Sequence, residues 1–248
     1  MFEIVEEKII DGLKNGKNMI YDATNINYKK RMAFLQKINK MDVEKIAIMV
    51  ATPYNECLER NASRERQVPE EVIKRMYYNF YVPQCFEGFN KIHIIYNETR
   101  PLRWEDLLKK MDILQDNPHH TLTIKEHCEK VQEQLLKEPY QWHMKDIGLL
   151  HDIGKVQTKT FINTKGEKTD IAHYYNHEKV SAYISCLRIN GLWQMAEDDV
   201  IRRAGLIRWH MLMHFNLSEK SKIKYRNMLG KVAWYNLKLL HEADCEAR

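Results

Sequence analysis

The chain has 248 residues, enough for one large domain or two of modest size. Hydrophobic residues make up 44% and charged residues 29%, with 9 Gly and 6 Pro, which excludes collagen-like, low-complexity and wholly disordered classes. A net charge of +5 suits a phosphate-bearing substrate but falls far short of a polycation that condenses nucleic acid.

No apolar run approaches the ~20 residues that cross a bilayer, so no membrane partner is expected. Residues 1–15 alternate acids with apolar positions, unlike a basic, apolar secretory signal. Cys57, Cys85, Cys128, Cys186 and Cys245 lie far apart, are odd in number and include no CxxC pair. That argues against a disulfide framework or a zinc ribbon and for a cytoplasmic protein.

In chain order, Gly12-Leu13-Lys14-Asn15-Gly16-Lys17-Asn18 reads as a helix C-cap leading into a strand. Met19-Ile20-Tyr21, Ile46–Val50 and Ile92–Tyr96 are short apolar runs suited to parallel strands buried on both faces. Helical patterns lie at about 29–39, 54–64, 69–80 and 103–114. Their alternation with the strands predicts βαβ units over 1–115. Asp116-Asn117-Pro118 is a natural joint. Beyond it strand signals nearly vanish, and helices are expected at about 124–137, 143–151, 177–190, 197–214 and 221–247. The fold class is therefore an α/β sheet unit over 1–115 followed by an all-α bundle over 116–248. Residues 157–175 read as a hairpin or long polar loop interrupting the helices.

Eleven histidines are many for this length, and most of them fall in the second part. His127, His151 beside Asp152, His177, His210 and Asp244 all sit on or at the ends of expected helices. Imidazole nitrogens and carboxylate oxygens together suit divalent cations such as Mn, Ni, Fe, Co, Zn or Mg. Gly154 is expected to let the backbone leave the helix after His151-Asp152, and Lys155 to offer a charge where a phosphate could sit. Asn176 is read as the N-cap that places His177. His214 lies one turn from His210 and competes with it for the same role. His119, His120, His143 and His241 are read as surface or outer residues, and His173 as one that could face substrate. Asp244 stays in place if Val232, Tyr235, Leu239 and Leu240 anchor the last helix.

Leu149-Leu150-His151-Asp152-Ile153-Gly154-Lys155, His173–Glu178 and Ala243-Asp244, in the order H…HD…H…H…D, resemble the HD-domain metal phosphohydrolases. The likeness is greatest to those of tRNA nucleotidyltransferases and poly(A) polymerases, over about 119–248. The resemblance implies His127, His151, Asp152 and Asp244 as core ligands of one or two ions. It adds His177 and His210 as ligands of a second ion, and Asp152 and Lys155 as catalytic groups.

Met19–Asn27 with Lys29-Lys30-Arg31, and Arg60-Asn61-Ala62-Ser63-Arg64 leading to Val68-Pro69, resemble the phage-type polynucleotide kinases over about 2–100. By that resemblance Asp22 belongs to the nucleotide–magnesium side, and Arg60 and Arg64 to a lid over the donor phosphates. A solvated helix face is the alternative for the two arginines. The phosphate-cradling GxxxxGK[ST] loop is not found, since the Gly12–Asn18 stretch has the wrong spacing, no hydroxyl residue and the wrong context. The first strand, that loop and the acceptor-side Asp would then lie upstream of Met1, in a longer kinase–HD protein, or the module has decayed. Residues 1–115 are accordingly expected not to use ATP·Mg in this chain, and to leave an open sheet edge through which copies could associate.

The expectation that follows is a metal-dependent phosphohydrolase acting on a nucleotide or an RNA 3′-end phosphate, monoester or 2′,3′-cyclic. A free-nucleotide nucleotidase and a non-catalytic RNA-binding module are the alternatives.

Overall fold

The computed structural model describes residues 2–118, 120–137, 142–192 and 194–247. Helix α1 (Phe2–Lys14) ends at a left-handed Gly16, with the Lys17 amide donating to the Gly12 carbonyl, so this stretch is a helix C-cap. No strand follows it. Met19 lies against Gly12, where an added Cβ would come within 2.4 Å of its sulfur, and Ile20 is 90% exposed. Of the run 19–21, Met19 covers α1 and Tyr21 packs edge to face on Phe34, and the run has no strand partner among the described residues.

Helix α2 (Tyr28–Lys37) is capped by Asn27, whose side chain accepts from the amides of Lys29 and Lys30. Its Arg31 is buried in a two-pronged bond to Glu87 at 2.7 Å for each nitrogen, and also donates to the Asn25 carbonyl. Strand β1 (Ile46–Ala51) pairs in parallel with β2 (Lys91–Tyr96), Ala47 opposite Ile92 and Met49 opposite Ile94. The crossover carries α3 (Tyr54–Ala62) and α4 (Glu70–Tyr78). With two strands only, the sheet buries one face. Ala47, Met49, Ala51, Ile92 and Ile94 point inward, whereas Ile46, Ile48, Val50 and Ile95 are exposed. Burial on both faces, as the apolar runs suggested, is corrected to this alternation.

Strand β3 (Leu102–Arg103) leads into α5 (Trp104–Met111). The second part begins with α6 (Ile124–Lys137), opened by a reciprocal Thr123–Glu126 capping box. Then come α7 (Lys145–Leu150) and α8 (Lys155–Thr158). An antiparallel hairpin of β4 (Lys159–Ile162) and β5 (Lys168–Tyr174) follows. Of the two readings of 157–175 the hairpin is the one formed, so the second part is a helical bundle interrupted by a hairpin and not purely α. Next is α9 (His177–Ser185), then β6 (Ile189–Asn190), which pairs in parallel with β3. Helix α10 (Glu197–Trp209) passes into a 3-10 turn at His210–His214. A single last helix was expected, but Gly230, with φ +87°, divides it into α11 (Glu219–Leu229) and α12 (Lys231–Glu246). The set that seats α12 is Trp234, Leu237, Leu240 and Ala243, one face at helical spacing. Val232 and Tyr235 are exposed, so the anchor expected at those positions is corrected by a shift of phase.

One apolar cluster runs from the inner face of β1 and β2 through α6, α7, α9 and α10 to α12. Tyr183 of α9 fastens the sheet to the helices: its hydroxyl donates to the Thr52 carbonyl and accepts from the Thr52 amide. The Glu197 carboxylate accepts from the Ile94 amide at the edge of β2. No helix of the described residues is long and apolar enough to cross a membrane.

Candidate metal centre

Five helical elements bring six side chains to one buried place. His127 stands in the first turn of α6, His151 and Asp152 follow α7, His177 opens α9, His210 follows α10, and Asp244 lies near the end of α12. All six are buried.

The ring orientations are set by the backbone. Nδ1 of His151 lies 2.8 Å from the Gly148 carbonyl, Nδ1 of His177 2.7 Å from the Tyr174 carbonyl, and Nδ1 of His210 2.6 Å from the Ile207 carbonyl. His127 Nδ1 makes a longer contact, 3.3 Å, with the Ala247 carbonyl. A carbonyl only accepts, so each Nδ1 carries a hydrogen and each ring turns its Nε2 edge inward. The Nε2 atoms of His127 and His151 are buried and make no hydrogen bond. Such orphaned acceptors are costly unless a cation meets them.

Two groups that could each hold a cation result: His127, His151 and Asp244, and then Asp152, His177 and His210, each with its donor atoms within 4.8 Å of one another. Asp152 faces both. Its Oδ2 is 3.5 Å from Nε2 of His127 and of His151, while Oδ1 is 3.3 Å from Nε2 of His177 and 3.6 Å from that of His210. Asp244 Oδ1 stands 3.1 Å from His127 Nε2. The donor set is all nitrogen and carboxylate oxygen, which fits borderline and hard divalent cations.

The charge state of these side chains is set by burial and by their neighbours. Burial alone would raise the Asp152 carboxyl, but Lys155, 2.5 Å away, and the surrounding histidines hold it well below the usual range. Asp244 is likewise lowered against its burial by the imidazoles of His127 and His214 beside it. Burial pushes His151 down to about 4, so it is neutral at pH 7. Lys155 does not extend toward solvent as its expected phosphate role suggested; it is buried on Asp152 and donates to the Gln115 side chain at 2.8 Å.

Gly154 has ordinary helical angles, φ −66° and ψ −18°, so its value is not conformational freedom. A Cβ there would come within 2.4 Å of the His177 carbonyl and 2.7 Å of the Ser181 amide. Glycine is what allows the turn after Asp152 to touch the start of α9. Asn176 is left-handed, with φ 64°, and forms no side-chain cap; its Oδ1 accepts from Lys179. His177 is placed by that bend and by the close packing on Gly154.

Sequence reasoning missed Gln115, Tyr174 and His120. Gln115 is buried and binds Lys155, and the Tyr174 hydroxyl donates to its carbonyl. His120 packs 5.3 Å from the His127 ring and is pushed down to about 4 by burial and by Lys155. These residues sit in the irregular joint or the hairpin, where no periodicity marks a buried position. His173 stacks on Tyr175 and contacts Thr169 within the hairpin. His143 is exposed, and His119 lies outside the described residues.

The kinase-like residues are dispersed by comparison. Asp22 is exposed, as is Arg64, and Arg60 is held at 2.6 Å by Glu56 and at 2.7 Å by the Asn97 carbonyl. Glu56 also accepts from Thr99, fixing the end of β2 to α3. Beside this contact a cleft of about 480 Å³ opens between the two parts, lined by Tyr54, Glu59, Tyr77, Arg100, Ile153 and Gln157 among others.

Residues 2–83 match a family model described as an AAA domain. Over 179 residues the chain is 28% identical to the L-seryl-tRNA(Sec) kinase of Methanococcus maripaludis, an alignment covering 65% of this chain and 69% of that protein. No solved structure matches. The first part is thus similar to kinase-like domains over 2–83, the part where its motifs carried that resemblance. The likeness to a kinase overturns the phosphohydrolase expectation and, with it, the inactive kinase half and its neglect of ATP·Mg. The physical source of the error is that cation ligands neutralise phosphoryl charge whether the acceptor is water or an alcohol. Ligand spacing therefore carries no information on the direction of transfer.

Proposed function

We propose that this chain acts in kinase-type phosphoryl transfer, with ATP·Mg as donor and a hydroxyl borne by an RNA as acceptor. Its helical part holds one or two divalent cations between the buried imidazoles and carboxylates, a reading supported by their two close donor groups. The similarity to a kinase whose name specifies a seryl-tRNA carries this reading, because the alignment is longer than the 2–83 segment.

Within this reading Asp22, Arg60 and Arg64 serve the donor side, and the cleft beside Tyr54 and Tyr77 receives the nucleotide or the RNA end. The stacked pair of those rings, 4.7 Å apart, offers a flat apolar wall to a base. Cations in the buried centre would draw phosphate oxygens and neutralise their charge. His127, His151, His177 and His210 hold their Nε2 atoms toward that place through the Nδ1 bonds. Asp152 is the shared carboxylate, Asp244 completes the first group, and Lys155 supplies the neighbouring positive charge.

The test uses radiolabelled ATP, magnesium and seryl-tRNA. Label should pass to the RNA-borne serine, and Arg64→Ala should reduce the rate by about tenfold or more, as for loss of one charge-stabilising group. Absence of transfer both to seryl-tRNA and to 5′-hydroxyl RNA would reject the proposal.

A further inference from the structure

A third cluster of ligand atoms lies outside the buried centre. His214, His241 and Cys245 bring one donor each within 4.8 Å of one another. His241 and Cys245 are one turn apart on α12 and share a face. His214 ends the 3-10 turn that His210 begins, so one short element serves the buried centre with its first residue and this cluster with its last. Cys245 Sγ is 3.8 Å from either ring nitrogen of His241, and the His214 and His241 rings meet edge to face at 4.4 Å. His214 Nε2 is buried and approaches Asp244 Oδ2 at 2.8 Å without the alignment of a hydrogen bond.

Zinc–sulfur and zinc–nitrogen bonds of about 2.3 and 2.05 Å at a tetrahedral angle place S and N roughly 3.6 Å apart. The observed 3.8 Å is nearly that spacing before any ion draws the ligands in. The donor set also differs in kind. The buried centre has only nitrogen and oxygen, whereas this one adds a thiolate, which favours zinc over magnesium or manganese.

We propose that His214, His241 and Cys245 form a separate zinc site at the surface end of α12, bordered by the Asp244 carboxylate. Asp244 turns Oδ1 to His127 and Oδ2 to His214, so an ion here fixes the last turn of α12 and with it a ligand of the buried centre.

The full chain, stripped by chelator and reloaded with Co2+ as probe, reports on the sulfur directly. A thiolate-to-cobalt charge-transfer absorption should appear in the wild type and in His151→Ala, which alters only the buried centre. It should vanish in Cys245→Ser, and zinc should bind His241→Ala at one equivalent fewer or at least tenfold more weakly. Far-ultraviolet circular dichroism checks that each variant is folded. No sulfur band in the wild type, a band that survives Cys245→Ser, or unchanged zinc binding in folded His241→Ala would overturn the proposal.

Discussion

Asp152 is the residue on which the buried centre turns, because each of its oxygens faces a different pair of imidazoles. Replacing it by Ala should remove the shared ligand of both cations, whereas His177→Ala should weaken only the second group. Elemental analysis after dialysis is expected to find no retained cation in Asp152→Ala and one fewer than wild type in His177→Ala. Asp152→Ala also strands the buried Lys155 ammonium, so destabilisation of about 3–5 kcal/mol is expected in the metal-free protein. The double variant with Lys155→Met should recover most of it, measurable by urea unfolding. Gly154→Ala tests placement without touching a ligand. With backbone atoms at 2.4 and 2.7 Å from the new Cβ, α9 must move. A loss of about 1–3 kcal/mol and of cation affinity together is the expected outcome, read by urea unfolding and dialysis equilibrium.

At the scale of elements, the Arg31–Glu87 pair ties α2 to the turn before β2, with side chains 6% and 0% exposed. Arg31→Ala leaves a buried carboxylate alone and should cost about 3–5 kcal/mol, whereas Arg31→Met with Glu87→Leu should cost far less, by thermal or urea unfolding. The pair also shows what could be read in advance. Strands β1 and β2 and the helices of the crossover were legible from local periodicity, and residue type and order singled out the six side chains that the fold brings together. Neither partner of the ion pair stands out, since a surface arginine and a buried one look alike in sequence. The same holds for Gly154, whose role is a close approach to α9, and for the run 19–21, which depended on whether a strand partner existed. Long-range contacts decide such positions, and no single-chain pattern encodes them.

For the molecule as a whole, the histidine-rich core makes stability depend on pH in a definite direction. His151 and His120 are held down to about 4 by burial, against about 6.5 in an unfolded chain. Below pH 6.5 the unfolded state therefore binds protons that the folded state refuses, and stability falls as pH falls from 6.5 toward 4. For His151 alone the slope approaches 1.4 kcal/mol per pH unit, from roughly one proton. His120 is only partly buried, and solvent weakens its share. Asp152 and Asp244, whose carboxyls lie below the usual range, act further down: their stabilisation is full above about pH 4 and is lost as pH drops through the folded values. The metal-free protein should thus show a urea midpoint that declines from pH 6.5 to 4 and then collapses. Zinc or manganese at neutral pH should raise that midpoint, since an ion that binds only the folded state shifts the equilibrium toward it. A His151→Gln variant should lose much of the slope between pH 6.5 and 4 while retaining the collapse below it. A midpoint flat over that range in the wild type would mean that these imidazoles are not held neutral in the folded core.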